Sequence, residues 1–245
     1  MGEIRVITNS EHPELEDEVR AAFRGEWPEF IFHDAVTAAH IERVGDYFAP
    51  YDLLLLDDGE VVAGGWGVAM AWDGSTATLP DGYDGALVQA VTEHENEVAP
   101  DTLSVMAAAV RKGRQGQGLA GRTLTALRER AHEHGLRRVI APVRPTLKQR
   151  YPITPMDRFA RWARDDGLHL DPWIRTHQRL GASILAPAPR SMIIKGTVAE
   201  WEEWAAMPFP ETGQYVVPQA LDLVSIDRER NEGSYEETNL WMRHA

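Results

Sequence analysis

The chain contains no cysteine. That excludes disulfides, thiol nucleophiles and cysteine-bound zinc, and a cytoplasmic setting is expected. Positive charge is also scarce: 25 Lys and Arg stand against 38 Asp and Glu, a net charge of −13. A general nucleic-acid binder needs the opposite balance. No apolar run approaches the length that spans a bilayer. The first residues, MGEIRVITNS, lack the apolar core of a secretion signal. Neither nucleic acid nor membrane is therefore expected as a partner. Metal motifs are missing as well. His94 stands among Glu93, Glu95 and Glu97 without H-E-x-x-H spacing, so a solvated helical face is the simpler reading and no metal is expected. No Gly-Lys-Ser/Thr of a P-loop occurs, and no Ser-His-Asp arrangement is recognisable. No repeat, low-complexity tract or linker divides the 245 residues, so one domain over 1–245 is expected, with a core over 1–195 and a C-terminal extension over 196–245.

What is present centres on Leu103 to Pro145. LSVMAAAV (Leu103 to Val110) is short, apolar and uncharged, as a buried strand should be. RKGRQGQG (Arg111 to Gly118) is a basic turn rich in glycine. LAGRTLTALRERAHEH (Leu119 to His134) places Ala120, Leu124, Leu127 and Ala131 on one helical face. Gly135 supplies a left-handed stop, and LRRVIAPV (Leu136 to Val143) is a second apolar strand. The turn thus opens a helix, where unpaired backbone N–H groups and the positive end of the helix dipole favour an anion. Glycines let backbone approach a ligand closely, and Arg111, Lys112 and Arg114 add charge. The pattern points to a phosphate or pyrophosphate, with a plain glycine turn and solvated basic residues as the alternative. Gly116 to Gly121 is formally G-x-G-x-x-G, the dinucleotide fingerprint. Against that, a hundred residues precede it, no acid for a ribose ends the next strand, and no run of βαβ units follows.

AVRKGRQGQGLAGRTL resembles the acyl-CoA-binding turn of the GNAT acyltransferase superfamily, whose motif reads Gln/Arg-x-x-Gly-x-Gly/Ala between its fourth strand and third helix. Gly116 and Gly118 match its glycines; Gly113 stands where Gln or Arg is usual. A second family signature, Tyr-x-x-Leu-Gly-Phe, is matched at Leu180 and Gly181, with His177 in place of tyrosine and Ala182 in place of phenylalanine. The resemblance implies an α/β (α+β) fold: a mixed, mostly antiparallel sheet of about six or seven strands flanked by helices, with an elaborated C-terminal half. It implies acetyl-CoA or another acyl-CoA as co-substrate. The contacts would come from Ala108, Ala109, Val110, Gly113, Arg114, Gln115, Gly116, Gln117, Gly118, Leu119 and Ala120, with Arg114 or Lys112, or backbone alone, meeting the phosphates. It implies His177 as proton donor to the leaving thiolate, since imidazole titrates near neutrality.

The chemistry expected is transfer of an acetyl group to an amine, on a small molecule or a protein, by direct attack. A non-catalytic acyl-CoA-binding module and a dinucleotide-binding enzyme are the alternatives, and a homodimer stays open. For the amine's base, Glu97, Asp101 and Asp157 are candidates. Trp27, Phe30 and Phe32 are candidates for the acceptor pocket, and Tyr151, Asp157, Arg161 and Trp162 for a lid. The remaining expected elements are a strand over Ile4 to Thr8, a helix over Glu14 to Phe23 capped by Asn9 or Ser10, and a hairpin over Asp52 to Trp72. A helix over Ala86 to Val98, a helix from Pro172 capped by Asp171, and a C-terminal hairpin complete them.

Overall fold

The computed structural model describes residues 3–23 and 25–245. Nine strands form one sheet in the order β1-β2-β3-β4-β5-β9-β8-β7, with β6 also paired to β9. The strands are β1 (Ile4–Thr8), β2 (Asp52–Asp57), β3 (Glu60–Met70), β4 (Thr102–Val110), β5 (Arg138–Val143), β6 (Ser183–Gly196), β7 (Gly213–Tyr215), β8 (Val224–Asp227) and β9 (Glu232–His244). The helices are α1 (Glu16–Phe23), α2 (Ala35–Tyr47), α3 (Gly82–Glu95), α4 (Leu119–Glu133), α5 (Met156–Phe159), α6 (Pro172–Arg179) and α7 (Val198–Ala205). This is the expected mixed, mostly antiparallel α/β fold, with a few more strands than anticipated. Residues 196–245 do more than extend it. Their last strand, β9, pairs with β5 on one side and β6 on the other, and so lies inside the sheet.

Two adjacent glycines show how the helices divide between the faces. Successive residues of a strand point to opposite faces. A Cβ on Gly64 would meet Phe23 of α1, whereas one on Gly65 would lie 2.8 Å from Thr123 of α4. α1 and α4 therefore cover opposite faces of β3. Trp66 points the same way as Gly64 and meets the edge of Tyr83 in α3, ring centroids 6.3 Å apart. α3 thus shares the α1 face. α4 presses Leu119, Thr123, Leu124, Leu127 and Ala131 into the other. Leu119 and Thr123 take the place expected for Ala120, which is only half-buried. α4 ends as expected, with Gly135 at φ +77°.

Elsewhere the local signals meet mixed outcomes. Asn9 and Ser10 sit in a short turn rather than capping α1, and the Asn9 side chain bonds Asp52 instead. Asp171 caps α6 by accepting from Trp173 N and Ile174 N, and it also accepts from Leu147 N. Thr197 and Glu200 form a reciprocal capping box at α7. α2 was not anticipated. It is capped by Asp34, whose carboxylate accepts from Thr37 N.

The close approach of α4 to β3 yields a test. On Gly65 an added Cβ would also lie 2.8 Å from Ala107 O, while on Gly121 in α4 it would meet nothing within 4 Å. Gly65→Ala should cost about 1–3 kcal/mol in denaturant unfolding, and Gly121→Ala should gain about 0.5–1 kcal/mol. Equal effects would contradict this packing.

Candidate active site

The site begins where β4 leaves β5. The two strands pair in parallel only over Thr102–Ser104 against Arg138–Ile140. From there β5 continues against β9, reaching Val143 opposite Leu240. β4 continues against β3 alone, past a bulge at Met106, to Val110 opposite Ala63. Its other edge is therefore unpaired, and Ala107 to Val110 turn from buried to half-exposed. Unpaired strand N–H groups beside a cleft can hold a chain of amides or polarise a carbonyl.

The glycine turn closes one end of this gap. Gly113, Gly116 and Gly118 have φ of +86°, +77° and +77°, values that side chains rarely adopt. A Cβ at any of the three would meet nothing within 4 Å, so the space beside them is open. Gln115 fixes the turn: its Oε1 accepts from Gly113 N at 2.8 Å and its Nε2 donates to Val110 O at 3.2 Å. Gly118 caps α4 in the left-handed region with no side chain on the first N–H groups. Gln115, Gly116, Gln117 and Gly118 are exposed, whereas Leu119 is buried against Leu55, Val62 and Ala63 and anchors the helix. Ala120 lies half-buried in the first turn. This loop, followed by a free helix N-terminus and an unpaired strand edge, fits a pyrophosphate with an amide-bearing arm.

The expected charge at the turn needs correction. The Arg114 guanidinium binds Asp57 and lies 3.5 Å from Glu60, and Arg111 lies 2.8 Å from Glu60. Both arginines tie the turn to the β2–β3 hairpin. Lys112 and Arg122 are exposed and have no ion-pair partner among the described residues. They are the cations left to face an anion.

His177 also differs from expectation. It lies in α6, 1% exposed, with its ring against Trp173. Its Nδ1 is 2.9 Å from His244 Nε2, so one of the two donates to the other. Its own Nε2 is buried with no hydrogen-bond partner among the described residues. His244 pairs with Val139, next to Ile140, where the β4–β5 pairing ends. Burial, and next the neighbouring His244, push His177 down to about 3. Burial, then Arg128, push His244 down to about 4. His177 does not rest as an imidazolium near neutrality, contrary to the titration expected of it.

The guessed bases fall away. Glu97 is exposed, Asp101 is bound by Arg137 and Arg138, and Asp157 is an exposed partner of Arg161 at 3.4 Å. Phe30 is core against Trp201 and Tyr235, while Phe32 is exposed. In the expected lid, Tyr151 stands edge-on to Trp162 at 4.7 Å. Lys148 staples that segment down, fully buried, donating to Tyr151 O and Leu221 O. Two buried carboxylates that the sequence reading passed over, Asp34 and Asp84, lie on the α1 face beside Tyr83.

A parallel β-α-β crossing with parted strands, set in an otherwise antiparallel sheet, is the arrangement expected of a GNAT-like fold. β4–β5 is the one parallel pair among the described strands, which removes the dinucleotide-binding alternative. The chain belongs to the acetyltransferase (GNAT) family, matched over residues 13–152. It is 30% identical over 247 residues to the arginine N-acetyltransferase avaD of Aspergillus versicolor, across 89% of this chain and 84% of the fungal protein. In fold it is similar to the loading GNATL domain of CurA from Lyngbya majuscula, with TM-score 0.60, 14% identity and coverage of 99% and 98% of the two chains. It is also similar to the GphF GNAT-like decarboxylase in complex with isobutyryl-CoA, with TM-score 0.58, 16% identity and the same coverage of 99% and 98%. Among the described residues no helix is long and apolar enough to cross a membrane.

The histidine pair carries a pH signature. Unfolded, both imidazoles titrate near about 6.5; folded, both lie lower. A depressed folded value gives stability that is present above the unfolded pKa and lost as pH falls. The pair should therefore lose stability as pH falls from about 6.5 to about 3. The double variant His177→Phe, His244→Phe should show a shallower fall in unfolding free energy over that interval. A fall as steep as the parent's would mean the pair is not buried neutral.

Proposed function

We propose that the protein transfers an acetyl group from acetyl-CoA to a small-molecule amine by direct attack, and that the chain works as one domain. The observation that carries this is the glycine turn at the start of α4, set beside the unpaired edge of β4. The pyrophosphate is held by the turn's N–H groups and the helix start, with Lys112 and Arg122 nearby. The pantetheine arm lies along Ala108 to Val110, whose free backbone groups meet its amides. The thioester carbonyl reaches the bulge at Met106, where a strand N–H donates to the developing oxyanion. The relation to a fungal arginine N-acetyltransferase supports an amine as acceptor.

In this scheme His177 handles the proton as a neutral imidazole. The attacking nitrogen must shed a proton and the leaving sulfur must gain one, and a free thiol holds its proton up to about 8.5. Once the neutral amine has bonded to the carbonyl carbon, the proton its nitrogen sheds is relayed to sulfur by His177 Nε2, which is unpartnered among the described residues and backed by His244. Its low proton affinity keeps the imidazolium from accumulating.

Acetyl-CoA should raise the melting temperature and compete with CoA. Gly118→Val, which places a branched side chain at φ +77°, should weaken that binding about tenfold or more. No shift with millimolar acetyl-CoA would overturn the reading. His177→Phe should lower kcat about 10²-fold or more with acetyl-CoA affinity little changed. An unchanged kcat would take the proton path away from His177.

A further inference from the structure

The outermost carbonyl on the open edge of β4 is already in use. Along an antiparallel pair, successive residues turn their N–H and C=O groups to opposite edges of the strand. Arg111 N donates to Val62 O at 2.9 Å, so Arg111 faces β3, while Val110 and Ala108 face the gap. Of these gap-facing groups, Val110 O accepts from Gln115 Nε2 at 3.2 Å. The other end of the same carboxamide accepts from Gly113 N at 2.8 Å. No other side chain among the described residues bonds the backbone of Ala107 to Val110.

Gln115 therefore does at Val110 what an amide of the arm would do: it donates an N–H to the strand carbonyl. Pantetheine carries two amides, each with one N–H and one C=O. A carbonyl has two lone pairs. A side chain bonded to Val110 O nonetheless lies across the edge along which the arm must run, so the two cannot share that place. Nor is Gln115 alone in holding the turn. Arg114 N donates to Arg111 O at 2.9 Å, Arg114 binds Asp57, and Arg111 lies 2.8 Å from Glu60. Gln115 itself is exposed, and an exposed hydrogen bond is kept against water at little net gain. The space beside Gly113 and Gly116 is open, which leaves the side chain room to swing clear. The contact is built to be exchanged.

We propose that Gln115 is a built-in competitor of the pantetheine arm: its carboxamide covers Val110 O until an amide of the arm displaces it. This inference rests on the acyl-CoA reading above. The displacement is chemically selective. A phosphate offers oxygens to Gly113 N but no donor to Val110 O. A nucleotide that lacks the arm therefore leaves Gln115 Nε2 in place, and the edge of β4 stays covered. A ligand with amide N–H groups beyond its phosphates releases both ends of the side chain.

Amide spectra of the isotope-labelled protein read this directly. The Gln115 side-chain amide is identified by its absence in Gln115→Ala. Saturating CoA should move it to the position of a free glutamine amide. Adenosine 3′,5′-diphosphate, which lacks the arm, should leave it near its starting position. Calorimetry of both ligands with parent and Gln115→Ala gives the second reading. A loosened turn weakens both ligands alike, so the ratio of their affinities isolates the arm. The ratio of CoA to diphosphate affinity should rise about threefold or more in Gln115→Ala, because the arm no longer has to break a hydrogen bond. If the diphosphate binds too weakly to titrate, the side-chain amide decides alone. A ratio unchanged or lowered overturns the competitor and leaves the acyl-CoA site standing. So does a Gln115 amide that stays put while CoA saturates the protein, or one that moves equally with the diphosphate. If CoA does not bind at all, the acyl-CoA reading fails and the competitor falls with it.

Discussion

The constraint on which the structure depends is the early end of pairing between β4 and β5. Three residue pairs hold them together, and beyond Ser104 and Ile140 nothing joins them. An open sheet edge inside a fold is unfavourable unless something meets its backbone groups. Here three devices keep it open. β9 takes over the far side of β5. The bulge at Met106 turns β4 toward β3. The glycine turn, clamped by Gln115 and tied to the β2–β3 hairpin by Arg111 and Arg114, sets α4 at the mouth.

A buried polar network secures the other side of the gap. Arg144, just past the end of β5, binds Glu237, which is fully buried in β9. Tyr235 donates to Glu237, Asn239 donates to it, and Ser191 donates to Asn239. Ser191 in turn receives Tyr83 N from α3. The chain of bonds runs from the β5 exit through β9 and β6 to the helix that roofs the gap. In a low-dielectric interior such a connected set fixes geometry, since breaking any link strands a buried group. It explains how a hairpin from the C-terminal half positions an α3 turn about a hundred residues earlier.

The β4–turn–α4–β5 unit was legible in the sequence because its determinants are local: an apolar strand, glycines where φ is positive, a helical stripe and a glycine stop. The cap at Asp171 was legible for the same reason. α2 was missed because Gly45 and His40 interrupt a weak apolar pattern. The place of β9 was hidden because pairing across the sheet leaves no local mark. His177 was found by its place in a motif, but its charge state was not, since that follows from burial against His244, 67 residues away. Asp34 and Asp84 stand in no motif and were passed over in the sequence. Only the packing of β6 over α3 makes them buried and unpaired.

Amide chemical shifts of the isotope-labelled protein test the central claim most directly. On adding CoA, the backbone N–H signals of Gly116, Gly118 and Leu119, together with Ala108 to Val110, should move in one saturable step. Signals along the β6–β9 pairing below Ala188 should stay nearly fixed. If CoA binds while the glycine-turn and β4 amides do not move, the parted strands are not the acyl-CoA site, and the account built on them is wrong.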